Sequence, residues 1–119
     1  MLILDIMNVD NVKSQMRKGM LEYCIMLLLK NKTCYSSDII DELEHANLIV
    51  VEGTLYPLLS RLKKEELLDY EWQESLSGPP RKYYKLTEKG REVLSVLDSN
   101  WCMLVSTVDR IKNEKSSVE

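Results

Sequence analysis

Residues 52–64 read Glu52-Gly53-Thr54-Leu55-Tyr56-Pro57-Leu58-Leu59-Ser60-Arg61-Leu62-Lys63-Lys64, and residues 77–90 read Ser77-Gly78-Pro79-Pro80-Arg81-Lys82-Tyr83-Tyr84-Lys85-Leu86-Thr87-Glu88-Lys89-Gly90. In the first run Leu55, Leu58, Leu59 and Leu62 recur at i, i+3, i+4 and i+7, the spacing of one apolar helix face. The helix is expected to begin at Gly53 or Thr54, with Pro57 in its first turn, where a missing N–H costs little. The face away from the leucines carries Pro57, Ser60 and Lys64, flanked by Thr54, Tyr56, Arg61 and Lys63. Leu67 to Ser75 and Lys82 to Leu86 contain Tyr70, Trp72, Tyr83 and Tyr84, and such aromatic content suits strands with a half-buried face. Ser77-Gly78-Pro79-Pro80 reads as a rigid turn in a loop longer than two residues. Arg81 and Lys82 stand just past its tip.

Working back from this stretch, residues 10–30 form a first long helix, capped by Asp10 or Asn11. Met16, Met20, Tyr23 and Leu27, with Cys24, Ile25, Met26, Leu28 and Leu29, make its C-terminal half apolar on nearly all sides. Such a helix is covered from more than one direction, here by its own domain and by a partner chain. Gly19 is expected to mark a kink or a close helix crossing. A second helix is capped by Ser36 or Ser37, carries Asp38 in its first turn and buries Ile39, Ile40 and Leu43. Two helices joined by a short turn and followed by a basic hairpin are the layout of a winged helix-turn-helix, whose second helix of the pair enters a DNA groove.

Working forward, Thr87 is the expected N-cap of the last helix, and Gly90 permits close packing there. Leu94, Leu97, Trp101, Leu104, Val108 and Ile111 repeat at 3, 4, 3, 4, 3, which is heptad spacing. A terminal helix of a single domain needs no such seam, so a homodimer is expected, with Met20 and Leu27 of the first helix joining it. The fold class is mainly α with a small β hairpin. It divides into an N-terminal arm (1–9), a winged helix-turn-helix DNA-binding domain (10–87), a C-terminal dimerisation helix (88–113) and a frayed tail (114–119).

A chain of 119 residues that is 45% hydrophobic, with no Phe, is one domain with a core of Leu, Ile, Val and Met. No run approaches the roughly 18 to 20 apolar residues of a membrane span. Met1 to Met7 is apolar but lacks a basic flank and a cleavage site, so an arm is expected rather than a signal peptide. Cys24, Cys34 and Cys102 include no CxxC pair, which indicates neither zinc nor a disulfide framework. Cys24 and Cys102 read as small core residues, and Cys34 as a candidate redox sensor near a helix start. Reduced thiols fit a cytoplasmic protein. His45 is the single histidine, so no metal site, no cofactor and no catalytic triad is expected. The net charge of −3 argues against nucleic acid when taken alone. Its distribution argues otherwise: Arg81, Lys82, Lys85, Lys89 and Arg91 cluster near the hairpin, and Arg61, Lys63 and Lys64 lie on the third helix. A locally basic face binds DNA with salt-sensitive affinity. A winged helix that binds a protein instead is the alternative, suggested by the acids at Glu65, Glu66, Glu71 and Glu74.

Gly19-Met20-Leu21-Glu22, the run from Glu52 to Leu62 and the run from Ser77 to Gly90 together resemble the PadR family of bacterial transcriptional regulators, in its short-tailed branch. The resemblance implies a dimeric repressor of a near-palindromic operator, released by a small hydrophobic, aromatic or phenolic ligand. Carried over by position, the DNA-binding residues are Tyr35, Ser36 and Ser37, then Thr54, Tyr56, Pro57, Ser60, Arg61 and Lys64, then Arg81 and Lys82 of the wing. Where the family commonly reads Tyr-Gly-Tyr, this chain has Tyr35-Ser36-Ser37. Trp101 sits where related proteins carry a ligand-stacking Trp near the dimer axis.

Overall fold

In the computed structural model of the chain, which describes residues 9–114, the elements follow as α1 (Val9–Leu28), β1 (Cys34–Tyr35), α2 (Ser36–His45), α3 (Glu52–Lys64), β2 (Leu68–Ser75), β3 (Gly78–Leu86) and α4 (Glu88–Asn113). The expected N-terminal arm and frayed tail lie outside the described residues, apart from Val9 and Glu114. Leu21, Ile25 and Met26 of α1, Ile39 and Leu43 of α2, and Leu55, Leu59 and Leu62 of α3 are buried together. Cys34, Leu68, Tyr84 and Leu86 close that core from the sheet. The leucine stripe of α3 thus does what its spacing implies, with Leu58 packed at the margin.

The hairpin is part of a three-stranded antiparallel sheet in the order β1-β3-β2. The third strand, Cys34–Tyr35, pairs with Tyr84 and Tyr83, and is too short to leave a periodic signal. The turn also differs from expectation. Ser75 pairs with Gly78, so the loop is Leu76-Ser77, and an irregularity between Gln73 and Ser75 absorbs the odd residue. Pro79 and Pro80 lie inside β3. They are tolerated because β1 covers only Tyr83 and Tyr84, leaving the rest of that edge of β3 open, and proline is confined to such open edges. Arg81 and Lys82 accordingly sit opposite Gln73 and Trp72, back from the tip.

Helix ends show similar local chemistry. Neither Ser36 nor Ser37 caps α2; the Asp38 carboxylate reaches back and accepts from the Tyr35 backbone N–H at 3.1 Å. α2 and α3 end alike, with Asn47 and Glu66 at positive φ (63° and 65°). The next residues, Leu48 and Leu67, donate to the carbonyls of Leu43 and Leu62 at 2.8 and 2.9 Å. This is the Schellman closure, normal for Asn47 and uncommon for Glu66. α3 begins at Glu52, so Pro57 falls in the second turn rather than the first. Gly53, whose carbonyl it cannot pair with, is an exposed residue. At Gly19 α1 runs on without interruption, and a Cβ there would meet nothing within 4 Å, so no other described element of the chain crosses close to it.

The start of α4 is bonded to the turn before β2. Thr87 caps the helix, its hydroxyl accepting from Gly90 N–H at 2.9 Å and donating to the Glu66 carbonyl at 2.6 Å. Lys89 donates to the Glu65 carbonyl at 3.1 Å and Arg91 to the Lys30 carbonyl at 2.8 Å. A Cβ on Gly90 would collide with the Leu67 carbonyl oxygen and come within 2.9 Å of Leu86 Cδ1. Beyond this joint the long helices project. The radius of gyration is 18.1 Å, against about 13 to 14 Å for a compact chain of this length.

Candidate nucleic-acid interface

Three segments distant in sequence meet at one cleft of about 440 Å³ between α3 and the hairpin. The start of α2 brings Tyr35, Ser36 and Ser37; α3 brings Glu52, Tyr56 and Ser60; the hairpin brings Trp72, Pro80, Arg81, Lys82 and Tyr84. The Ser36 and Tyr56 hydroxyls are hydrogen-bonded at 2.9 Å, which ties the start of α2 to the face of α3. Tyr35, Ser36, Ser37, Tyr56, Ser60, Arg81 and Lys82, each a candidate from sequence, are therefore brought together.

The cations are held on rings. The Arg81 guanidinium lies 5.3 Å from the Tyr35 ring centroid, and Tyr35 packs on Tyr83 at 4.6 Å. Lys82 Nζ lies 4.5 Å from the Tyr70 centroid and 5.5 Å from that of Trp72. Neighbouring residues of a strand point to opposite faces, so Arg81 and Lys82 flank the hairpin on its two sides. Cation–π contact leaves each charge unneutralised while restricting where it can go. Aromatic residues of β1 and of the hairpin thus position the hairpin's charges, a role that strand propensity did not suggest.

The other candidates on α3 spread around the helix. At about 100° per residue, Arg61 lies about 140° from Tyr56. Thr54, Pro57 and Lys64 are exposed on the arc between and beside them but do not line the cleft. Arg61 faces α1, where it forms a two-pronged ion pair with the Glu22 carboxylate, its Nε donating at 3.2 Å. That carboxylate holds the Arg61 pKa above its ordinary value, first by hydrogen bonding and then by charge. Lys63 points toward Asp69 at 3.9 Å. Lys89 and Arg91, read as part of the basic cluster, serve the α4 joint described above.

The expected dimer seam divides. Leu94 is 2% exposed and belongs to the chain's own core, which corrects its assignment to the interface, while Leu97 is partly buried against that core. The reason is that the first turns of α4 lie on the hairpin joint. Trp101, Leu104, Val108 and Ile111 are 41 to 66% exposed. With Met16, Met20, Cys24, Leu48 and Val105, the first three line an apolar groove of about 540 Å³ between α1 and α4. Leu27 is exposed outside it. Beside the groove, Tyr23 donates to the Asp98 carboxylate at 2.6 Å and packs on Trp101 with centroids 6.4 Å apart. That hydrogen bond, helped by desolvation and the Asp98 charge, pushes the Tyr23 pKa up to about 12.

The thiols differ from expectation too. Cys102 is exposed, Cys24 is half-buried in the groove wall, and Cys34 is buried in β1. Burial raises the pKa of Cys24 and Cys34, which suppresses the thiolate a redox sensor needs. Among the described residues no group of His, Cys, Asp and Glu could hold a metal ion, and no helix is long and apolar enough to cross a membrane.

The transcriptional regulator PadR-like family model matches residues 25–96. A PadR-like transcription factor from Bacteroides fragilis is 66% identical, with 85% of this chain and 98% of that one covered and a TM-score of 0.74. A PadR family transcriptional regulator from Eggerthella lenta is 29% identical over 97% of this chain and all of that one (100%), with a TM-score of 0.82. A third, from Bacillus cereus, is 36% identical over 85% of this chain and 99% of that one, with a TM-score of 0.75. The fold of helices and a small three-stranded sheet is that of these regulators, which are transcription factors rather than enzymes, and the chain belongs to the PadR-like family of transcriptional regulators.

Proposed function

We propose that the protein is a cytoplasmic homodimeric repressor that places two copies of the cleft on a palindromic DNA operator. The observation that carries this is the gathering of Tyr35, Ser36, Ser37, Tyr56, Ser60, Arg81 and Lys82 around one cleft beside the exposed face of α3. In the dimer the two α3 helices enter major grooves one turn apart, roughly 34 Å. Thr54, Pro57 and Lys64 extend the DNA-facing surface of α3, and Arg61 holds α3 to α1 through Glu22. Arg81 and Lys82 meet phosphates, which fix register without reading sequence. The second copy covers Met20, Trp101, Leu104, Val108 and Ile111. Repression is steric.

Release follows when a planar hydrophobic or aromatic molecule stacks on Trp101 and favours a dimer with the wrong α3 spacing. A ligand with equal affinity for both geometries would shift nothing. The protein-binding alternative draws on the net acidic charge and on Glu65, Glu66, Glu71 and Glu74, and none of these four lines the cleft. The test is binding to the DNA upstream of the protein's own gene across salt concentrations. A steep salt slope with preference over a mixed-sequence duplex is expected. Absence of binding at low salt overturns the reading.

A further inference from the structure

Trp72 is 61% exposed. It shares a face of the sheet with its cross-strand partner Lys82 and with Tyr70. Its ring stands edge-on to Tyr70, with centroids 5.9 Å apart and planes at 88°. Tyr70 in turn packs on the buried Tyr84 at 5.7 Å. The indole is therefore braced through Tyr70 to the core, while much of its surface lies open in the cleft. Leaving apolar area in water costs about 25 cal/mol per Å², so a braced, open indole gains free energy from any apolar surface that covers it.

The cleft wall matches one class of partner. A duplex strand alternates anionic phosphates with apolar deoxyribose rings. The hairpin side of the cleft offers Arg81 and Lys82 for the first, and Trp72 and Pro80 for the second. The one acid lining the cleft, Glu52, stands on α3, where its charge repels phosphate and favours a strand lying toward the hairpin.

We propose that Trp72 is a DNA-contacting residue whose indole packs against a deoxyribose of the strand held by Lys82 and Arg81. The inference rests on the DNA-binding reading above and adds to it a contact that is neither charged nor sequence-reading. Loss of a phosphate contact lowers both affinity and the salt slope. Loss of a sugar contact lowers affinity alone.

The test uses the full chain labelled with 5-fluorotryptophan, whose two resonances (the chain has two Trp) are assigned with Trp72→Phe. On addition of the upstream duplex, the Trp72 resonance should shift and lose its solvent-isotope effect. Trp72→Ala should weaken binding to upstream and mixed-sequence duplexes alike, on the order of tenfold, the scale of one aromatic contact to nucleic acid. Its salt slope should stay unchanged, and Trp72→Phe should retain most of the affinity. Binding by the unsubstituted protein with an unmoved Trp72 resonance overturns this inference and leaves the DNA reading intact. So does a Trp72→Ala protein whose salt slope falls with its affinity, since Trp72 would then act only through Lys82. No binding by the unsubstituted protein at low salt overturns both.

Discussion

The cleft between α3 and the hairpin and the groove between α1 and α4 have similar volumes, about 440 and 540 Å³, and share no residue. In the cleft, polar groups are already engaged within the chain: Ser36 with Tyr56, Arg81 on Tyr35, Lys82 on Tyr70 and Trp72. In the groove, only Arg17 and Asp109 of the lining residues are charged, and the rest are Met, Cys, Leu, Val and Trp. The cleft presents charges that the chain itself already holds in place. The groove presents apolar side chains open at the surface. Held charges reduce the ordering a partner must impose, whereas exposed apolar side chains gain only by being covered.

Substituting one buried and one exposed leucine of the apolar stripe on α4 tests this contrast most severely. Leu94→Ala should lower the unfolding free energy by about 3 kcal/mol, as for a fully buried leucine, with association unchanged. Leu104→Glu should do the reverse, keeping the far-UV helical signal while sedimentation shifts from a two-chain to a one-chain mass. If Leu104→Glu still sediments as a dimer, the groove is not half of an interface.

The two arginines separate next. Arg81→Ala should weaken binding to every duplex several-fold and reduce the magnitude of the salt slope by about 1. Arg61→Ala should leave that slope unchanged, because Glu22 already takes its charge. Equal slopes for the two variants would merge what the structure divides.

The smallest effect concerns Tyr23, at the edge of the groove. Its folded pKa of about 12 exceeds the ordinary value of 10.0, so the protonated phenol is the form that folding favours. The stabilisation is complete below pH 10, and is lost as pH rises toward 12. Tyr23→Phe should cost about 1 kcal/mol near neutral pH, the scale of one hydrogen bond. In urea titrations the gap to the unsubstituted protein should close between those two pH values. A gap independent of pH would show that the hydroxyl contributes otherwise than by its hydrogen bond to Asp98.

Much of this was legible in the chain because it depends on neighbours in sequence. The leucines of α3, the cap at Thr87 and the aromatic strands each follow from local spacing and chemistry. Contacts across distance were not. Arg61 finds Glu22, 39 residues away, and no pattern on α3 distinguishes it from Lys64. The heptad stripe reported that α4 has an apolar face, but Leu94 and Val108 occupy equivalent places in it, and only the first is covered by the chain's own core. Pro79 and Pro80 looked like a turn because strand interiors exclude proline, and the open edge of β3 that admits them exists only after β1 has docked. Glu66 hides a helix end that glycine or asparagine would have announced.

The crowded joint at Gly90 also has a genetic reading. Every substitution at the first or second base of a glycine codon either stops translation or adds at least a Cβ, and here the first atom added meets the Leu67 carbonyl. In a library of single-base variants, position 90 should come back empty, while Gly19, Gly53 and Gly78, each with open space around it, should accept alanine without loss of folding. The angle between the hairpin and the long helix is therefore set by atoms on both sides of the joint, and no single added side chain at Gly90 can adjust it.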